Sequence, residues 1–146
     1  MIHIRVSLEP IDLAAELARI EAAGVGGIAS FSGLVRADDG VELLELEHYP
    51  GVTDAMLARL AEQATARWGL LAASIVHRVG PMRPGERIVL VLAAAAHRAA
   101  ALEACAFLID RLKTDAPFWK RETRGGQSRW VEARDGDAAA AARWSG

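Results

Sequence analysis

Apolar and polar residues alternate from Ile2 to Leu8, which predicts a strand. Behind Pro10 and Asp12 the period changes. Leu13, Leu17 and Ile20 recur at helical spacing, so a helix is expected to about Ala23, ended by Gly24, Gly26 and Gly27. Gly27 to Arg36 reads as a strand. Asp38-Asp39-Gly40 reads as a turn and Val41 to Tyr49 as the strand returning from it. Pro50-Gly51 breaks that strand, and Thr53 is the expected N-cap of a helix through about Trp68. Leu71 to Val79 predicts another strand, Pro81 to Glu86 a loop, and Arg87 to Ala95 a near-continuous apolar strand of the central kind. His97 to Lys113 then follows as a long helix, with Leu102, Ala106, Ile109 and Leu112 on one face. Past Pro117, residues 118–123 and 129–133 suit a hairpin around Gly125-Gly126, and the Ala-rich stretch 135–144 suits a closing helix.

The first six elements run strand–helix–strand–strand–helix–strand, the order of a split βαβ motif. The fold class expected is α+β: two layers, a mostly antiparallel sheet with packed helices, and a C-terminal hairpin. A length of 146 residues, with no repeat or long linker, fits one domain over 1–146.

Composition narrows the function. Lys plus Arg is 17 against 19 for Asp plus Glu, so the basic excess usual in nucleic-acid binders is missing. A single cysteine, Cys105, excludes an intramolecular disulfide and multi-cysteine zinc patterns. The N-terminus does not read as a signal peptide, and no apolar run reaches membrane-spanning length. A soluble, reducing, cytoplasmic setting is the expectation. No P-loop, GxGxxG, HExxH or G-x-S-x-G motif is present. His48 and His77 fall in strands without acidic or thiol partners at metal-ligand spacing.

The remaining chemistry is cationic. Lys113 closes the apolar helix, and Lys120 stands beyond Pro117 with Phe118 and Trp119 between them. A cation at a helix end and one on the following strand can converge on an anion or a developing oxyanion. Lys113 could equally serve the helix dipole alone. Lys120 is harder to read as ordinary surface charge, because the proline and aromatics imply a fixed, partly buried backbone. His97-Arg98 opens the long helix, where cations oppose the macrodipole unless an anion binds there or the side chains reach solvent or a carboxylate. Arg36, ending Ser32-Gly33-Leu34-Val35-Arg36, offers a guanidinium fork for phosphate or carboxylate, or a partner for the Asp38-Asp39 turn. Arg134, in Trp130-Val131-Glu132-Ala133-Arg134, reads as surface charge, and Cys105 as a small buried hydrophobe.

In this order, these segments resemble the large catalytic subunit of molybdopterin synthase. The likeness covers nearly the whole chain. Its most specific blocks are His48-Tyr49-Pro50-Gly51 and Leu112-Lys113-Thr114 followed by Ala116-Pro117-Phe118-Trp119-Lys120-Arg121-Glu122. The resemblance implies an α/β-hammerhead fold and a sulfurtransferase of molybdenum cofactor biosynthesis. In that family precursor Z, a cyclic pyranopterin monophosphate, becomes molybdopterin by gaining two dithiolene sulfurs. The donor is the C-terminal thiocarboxylate of a small ubiquitin-like subunit ending in Gly-Gly. The resemblance also implies a heterotetramer around a central dimer of large subunits, with no cofactor, metal, nucleic acid or membrane. It gives Lys113 and Lys120 the catalytic role. Arg36, His97 and Arg98 match substrate-phosphate contacts, some reached from the dimer mate. Leu34, Val35, Arg121 and Glu122 complete the implied substrate-binding set. Leu34 stands where the family often carries Lys or Thr, which leaves Arg36 as that segment's cation. Two other readings stand beside it: within the resemblance, a non-catalytic relative that keeps the fold and docks a ubiquitin-like tail or small anion, and, from topology alone, a dimeric anion sensor of ferredoxin-like topology.

Overall fold

The computed structural model describes residues 1–22, 24–37, 40–116, 118–131 and 144. Its strands are β1 (Ile2–Ser7), β2 (Gly27–Leu34), β3 (Leu43–Glu47), β4 (Ala72–Arg78), β5 (Gly80–Met82), β6 (Arg87–Ala95), β7 (Trp119–Arg124) and β8 (Gln127–Val131). Its helices are α1 (Leu13–Ile20), α2 (Val52–Trp68) and α3 (Arg98–Asp115). The α+β class holds, but the strands divide into two four-stranded sheets, ordered β1-β4-β6-β2 and β5-β3-β7-β8. Among the described residues only β1 and β4 pair in parallel.

Each sheet forms where burial demands it. β4 is buried at every position and β6 from Val89 onward, so these apolar strands take the two central places of the first sheet. α2 packs over β1 and β4, and α3 over β6 and β2. The core between the layers includes Leu57, Leu60, Ile75, Val91, Phe107 and Leu108. On the other face, α1 covers Val76, Leu90 and Leu92 with Ile11 and Ile20. Asp12 caps α1 by accepting from the Ala15 amide at 3.1 Å.

Four expectations are corrected. β2 and β3 do not form a hairpin. β2 pairs with β6, while Leu44 and Leu46 of β3 turn inward onto Val35, Val79 and Met82, and that burial assigns β3 to the second sheet. The split βαβ order therefore does not describe one sheet. The expected 81–86 loop contains β5, whose Pro81 is tolerated because β5 is an edge strand. Thr53 does not cap α2. Gly51, at φ 84°, holds the N-cap position, and the fully buried Thr53 hydroxyl accepts from the Tyr49 amide at 3.2 Å. α3 buries Ala101, Ala104, Cys105, Phe107, Leu108 and Leu112, whereas Leu102 is 61% exposed.

The β7–β8 hairpin forms as expected. Gly125 and Gly126, at φ 55° and 80°, make the two-residue turn that needs left-handed backbone at both positions. Ala23, the Asp38-Asp39 turn, Pro117, Glu132, Ala133, Arg134 and all of the expected closing helix except Trp144 lie outside the described residues.

Candidate functional site

The strand registers sort the candidate residues onto two poles. Gly27 of β2 pairs with Ala95 at the end of β6, and Leu34 pairs with Arg87 at its start. α3 begins directly after β6 and runs back along it. His97 and Arg98 therefore mark one pole, and Arg36 and Lys113 the other. Arg98 and Lys113 are about 22 Å apart along the helix axis, at about 1.5 Å per residue. Gly26 fixes the first pole: a Cβ there would lie 2.0 Å from the Ala96 carbonyl oxygen. His97 is the N-cap of α3 without a side-chain capping bond, and both His97 and Arg98 are exposed.

At the opposite pole the second sheet closes over the first. Register places Lys120 opposite Leu46, whose side chain is in the core. Alternation then points Lys120 and Glu122 toward one face of β7 and Arg121 toward the other. The half-buried Lys120 and the exposed Lys113 come from different elements, yet both act electrostatically on the buried imidazole of His77. His77 stacks on Phe118 with centroids 3.9 Å apart and planes 19° apart. Its Nδ1–H donates to the Arg78 carbonyl at 2.7 Å, so Nε2 carries the lone pair. Burial above all, with smaller contributions from Lys113, Lys120 and His48, pushes this imidazole down to about 3 against the opposing pull of the Arg78 carbonyl. The ring is thus neutral near pH 7 and lies within electrostatic reach of both lysines.

His48 follows β3 and belongs to the same neighbourhood. Its Nδ1 is buried without a hydrogen-bond partner among the described residues. It lines a cavity of about 380 Å³ with Glu47, Tyr49, Trp119 and Trp130. Trp119 meets both other aromatics edge-on at 6.3 Å.

The other candidates are placed less uniformly. Arg36 is exposed just past β2, at the lysine pole. Val35 is buried: its amide donates to the Glu86 carbonyl and its carbonyl accepts from the Gly85 amide, both at 2.9 Å. Its side chain is core, so it holds Arg36 in place without facing a ligand. Leu34 is half exposed and lines a separate cavity with Arg78, Glu86 and Arg87. Arg121 donates to Glu45 at 2.8 Å and lies over Trp130, on the face away from Lys120. Glu122 accepts from Arg124. One chain therefore brings Lys113, Lys120 and Arg36 to one pole and leaves His97 and Arg98 at the other. Cys105 is buried, with its thiol pushed up to about 11 by desolvation, as an inert core residue requires.

Sequence reasoning missed His77, His48 and Phe118 as parts of this pole. The available signal was a histidine inside a strand apolar enough to be buried throughout, because such a ring must either find a partner or stay neutral. Among the described residues no cluster of His, Cys, Asp and Glu could hold a metal ion, and no helix is long and apolar enough to cross a membrane.

Residues 6–115 match the family described as MoaE protein. The molybdopterin synthase catalytic subunit of Mesorhizobium japonicum is 50% identical over 97% of this chain and 92% of its own length. A solved structure of molybdopterin cofactor biosynthesis protein E from Burkholderia multivorans superposes with a TM-score of 0.86 at 46% identity, covering 99% of this chain and 97% of that one. Molybdopterin synthase from Staphylococcus aureus gives 0.83 at 30% identity, over 88% and 96%. The chain belongs to the MoaE protein family.

Proposed function

We propose that this chain transfers sulfur to a pterin substrate at the pole where Lys113 and Lys120 meet. Its family places it among catalytic subunits of molybdopterin synthase, enzymes of molybdenum cofactor biosynthesis. The finer reading is that it converts precursor Z to molybdopterin, drawing two dithiolene sulfurs from the thiocarboxylate of a small ubiquitin-like subunit. The observation that supports this reading is that Lys113 and Lys120, from different elements, both act electrostatically on the buried His77, which stacks on Phe118. Sulfur of the thiocarboxylate forms a bond to a pterin side-chain carbon as the bond from that carbon to oxygen breaks. That leaves a thioester joining carrier and pterin; water then adds to its carbonyl and the acyl C–S bond breaks, so the sulfur stays on the pterin and the carrier ends in an ordinary carboxylate. The departing oxygen of the first step and the carbonyl oxygen of the second gain negative charge. Two ammonium groups in a partly desolvated site can hold that charge and supply the proton.

Arg36 supplies a guanidinium for the substrate phosphate at this pole. His97 and Arg98 reach it only from a second large subunit, which agrees with a central homodimer carrying one small subunit on each side. We read residues 1–146 as one catalytic domain working in the cytoplasm, where the sulfur carrier would be made. The supporting facts are the match over 6–115 and the near-complete overlap with relatives.

The direct test mixes the purified chain with precursor Z and thiocarboxylated small subunit. Molybdopterin should form, and a small subunit ending in an ordinary carboxylate should give none. Tight binding of the small subunit without product would replace the enzyme by a binding module.

A further inference from the structure

Arg78 is the least expected residue of β4. Every position of that strand is buried, and Arg78 is only 8% exposed. Burying a guanidinium is costly, and pairing it returns no more stability than a well-packed apolar side chain would. The pairing here is also incomplete, because Arg78 Nε has no hydrogen-bond partner among the described residues. Stability alone therefore does not account for an arginine at this position.

Its two outer nitrogens show what it holds. Nη2 donates to the carbonyl of Leu8, just past β1, at 3.2 Å, and Nη1 donates to Glu86 Oε1 at 3.3 Å. The other Glu86 oxygen accepts from the Arg83 amide, while the Glu86 amide donates to the Arg83 carbonyl at 3.1 Å. The Arg83 amide first, and the Arg78 guanidinium after it, hold the Glu86 carboxyl below the usual carboxylate range, so it is ionised at neutral pH. The 83–86 turn is thus closed by its own backbone and by one side chain, and Arg78 anchors that side chain to the central sheet. The same turn carries the backbone that leads to Arg36. The β2–β6 register shifts between Gly33 and Leu34, and beyond the shift Val35 exchanges its two backbone bonds with Glu86 and Gly85. Arg36 follows directly and is exposed. The path from Arg78 to Arg36 runs through Glu86 and that one exchanged pair. A displacement of about 1 Å along it is enough to spoil a directed contact. His77 and Arg78 are neighbours on β4 and face opposite sides of it, so one strand end supports both the lysines' surroundings and the Arg36 backbone.

We propose that Arg78 and Glu86 are positioning residues for Arg36: by locking the 83–86 turn they fix the Val35 backbone, and with it the place where the Arg36 guanidinium meets a phosphate-bearing substrate. This rests on the reading of Arg36 as the phosphate contact, and the test separates the two.

The measurement is the affinity of the enzyme, with its small subunit in place, for precursor Z by titration calorimetry, alongside KM and kcat. Arg36→Ala should weaken binding roughly tenfold or more, as loss of a charge-assisted contact does. Glu86→Gln changes an exposed side chain and should weaken binding roughly three- to tenfold, raising KM with kcat held within about twofold. Arg78→Met removes the buried charge at similar length, so the melting temperature should be kept or raised while substrate affinity falls as in Glu86→Gln. Small-subunit affinity should not change in either variant. Added to Arg36→Ala, Glu86→Gln should cost nothing more, because the residue it places is gone. The same loss from Glu86→Gln in both backgrounds, or unaltered precursor Z affinity in Glu86→Gln and Arg78→Met, would overturn the proposal and leave Arg36 as the phosphate contact. Unaltered affinity in Arg36→Ala would overturn the phosphate reading itself, and the proposal with it.

Discussion

A buried imidazole without a counter-ion leaves a signature in the acid stability of the protein. His77 is held at about 3 in the folded state, against 6.5 for an ordinary histidine. The unfolded chain therefore binds this proton more readily. The stability linked to His77 is fully present above pH 6.5 and is lost as the pH falls toward 3. Between pH 6.5 and 4.5 that loss amounts to about 2–3 kcal/mol, at about 1.4 kcal/mol per pH unit. His77→Phe keeps a ring against Phe118 and removes the titration, so its denaturant stability should fall less than that of wild type over this interval. Equal falls in the two proteins would show that the ring titrates normally. At this scale, Lys113 and Lys120 were legible in the sequence because charge beside proline and aromatics is an unusual local pattern. His77 was not, because its environment is made by β4, the second sheet and Phe118 meeting in space.

The elements differ in how openly the sequence declares them. β6 and α3 are long and strongly apolar, and both were legible within a few residues of their observed bounds. The partner of β3 was not, because a turn signal says that two strands are near in sequence and not that they pair. β5 was hidden by its length of three residues and by Pro81. The buried face of α3 was hard to read because apolar residues surround the helix: Leu102 and Ala104 suit a core equally well in sequence, but only Ala104 is buried. Two substitutions test the local account. Gly26→Ala puts a methyl against the Ala96 carbonyl and should cost roughly 1–3 kcal/mol, seen as a lower melting temperature. Gly125→Asn should be neutral or stabilise by about 0.5 kcal/mol, because asparagine accepts left-handed backbone and narrows the unfolded ensemble. A melting temperature lowered by Gly125→Asn would contradict the two-residue turn.

At the scale of the whole molecule, the helical layer and the two sheets separate the cations and then orient them. The antiparallel run of β6 and α3 sends Lys113 back to the start of β6. The second sheet delivers Lys120 to the same place, while His97 and Arg98 stay behind at the far end. The separation of His97 and Arg98 from the lysine pole was not legible from spacing along the chain, because it depends on which way α3 returns. If sulfur is transferred at the lysine pole, Lys113 and Lys120 must both act in turnover. The most direct measurement is the turnover rate of Lys113→Ala and Lys120→Ala with precursor Z and thiocarboxylated small subunit, alongside small-subunit affinity. The account predicts that each loses roughly 10²–10³-fold in kcat while the carrier still binds. Wild-type turnover in both variants would contradict it.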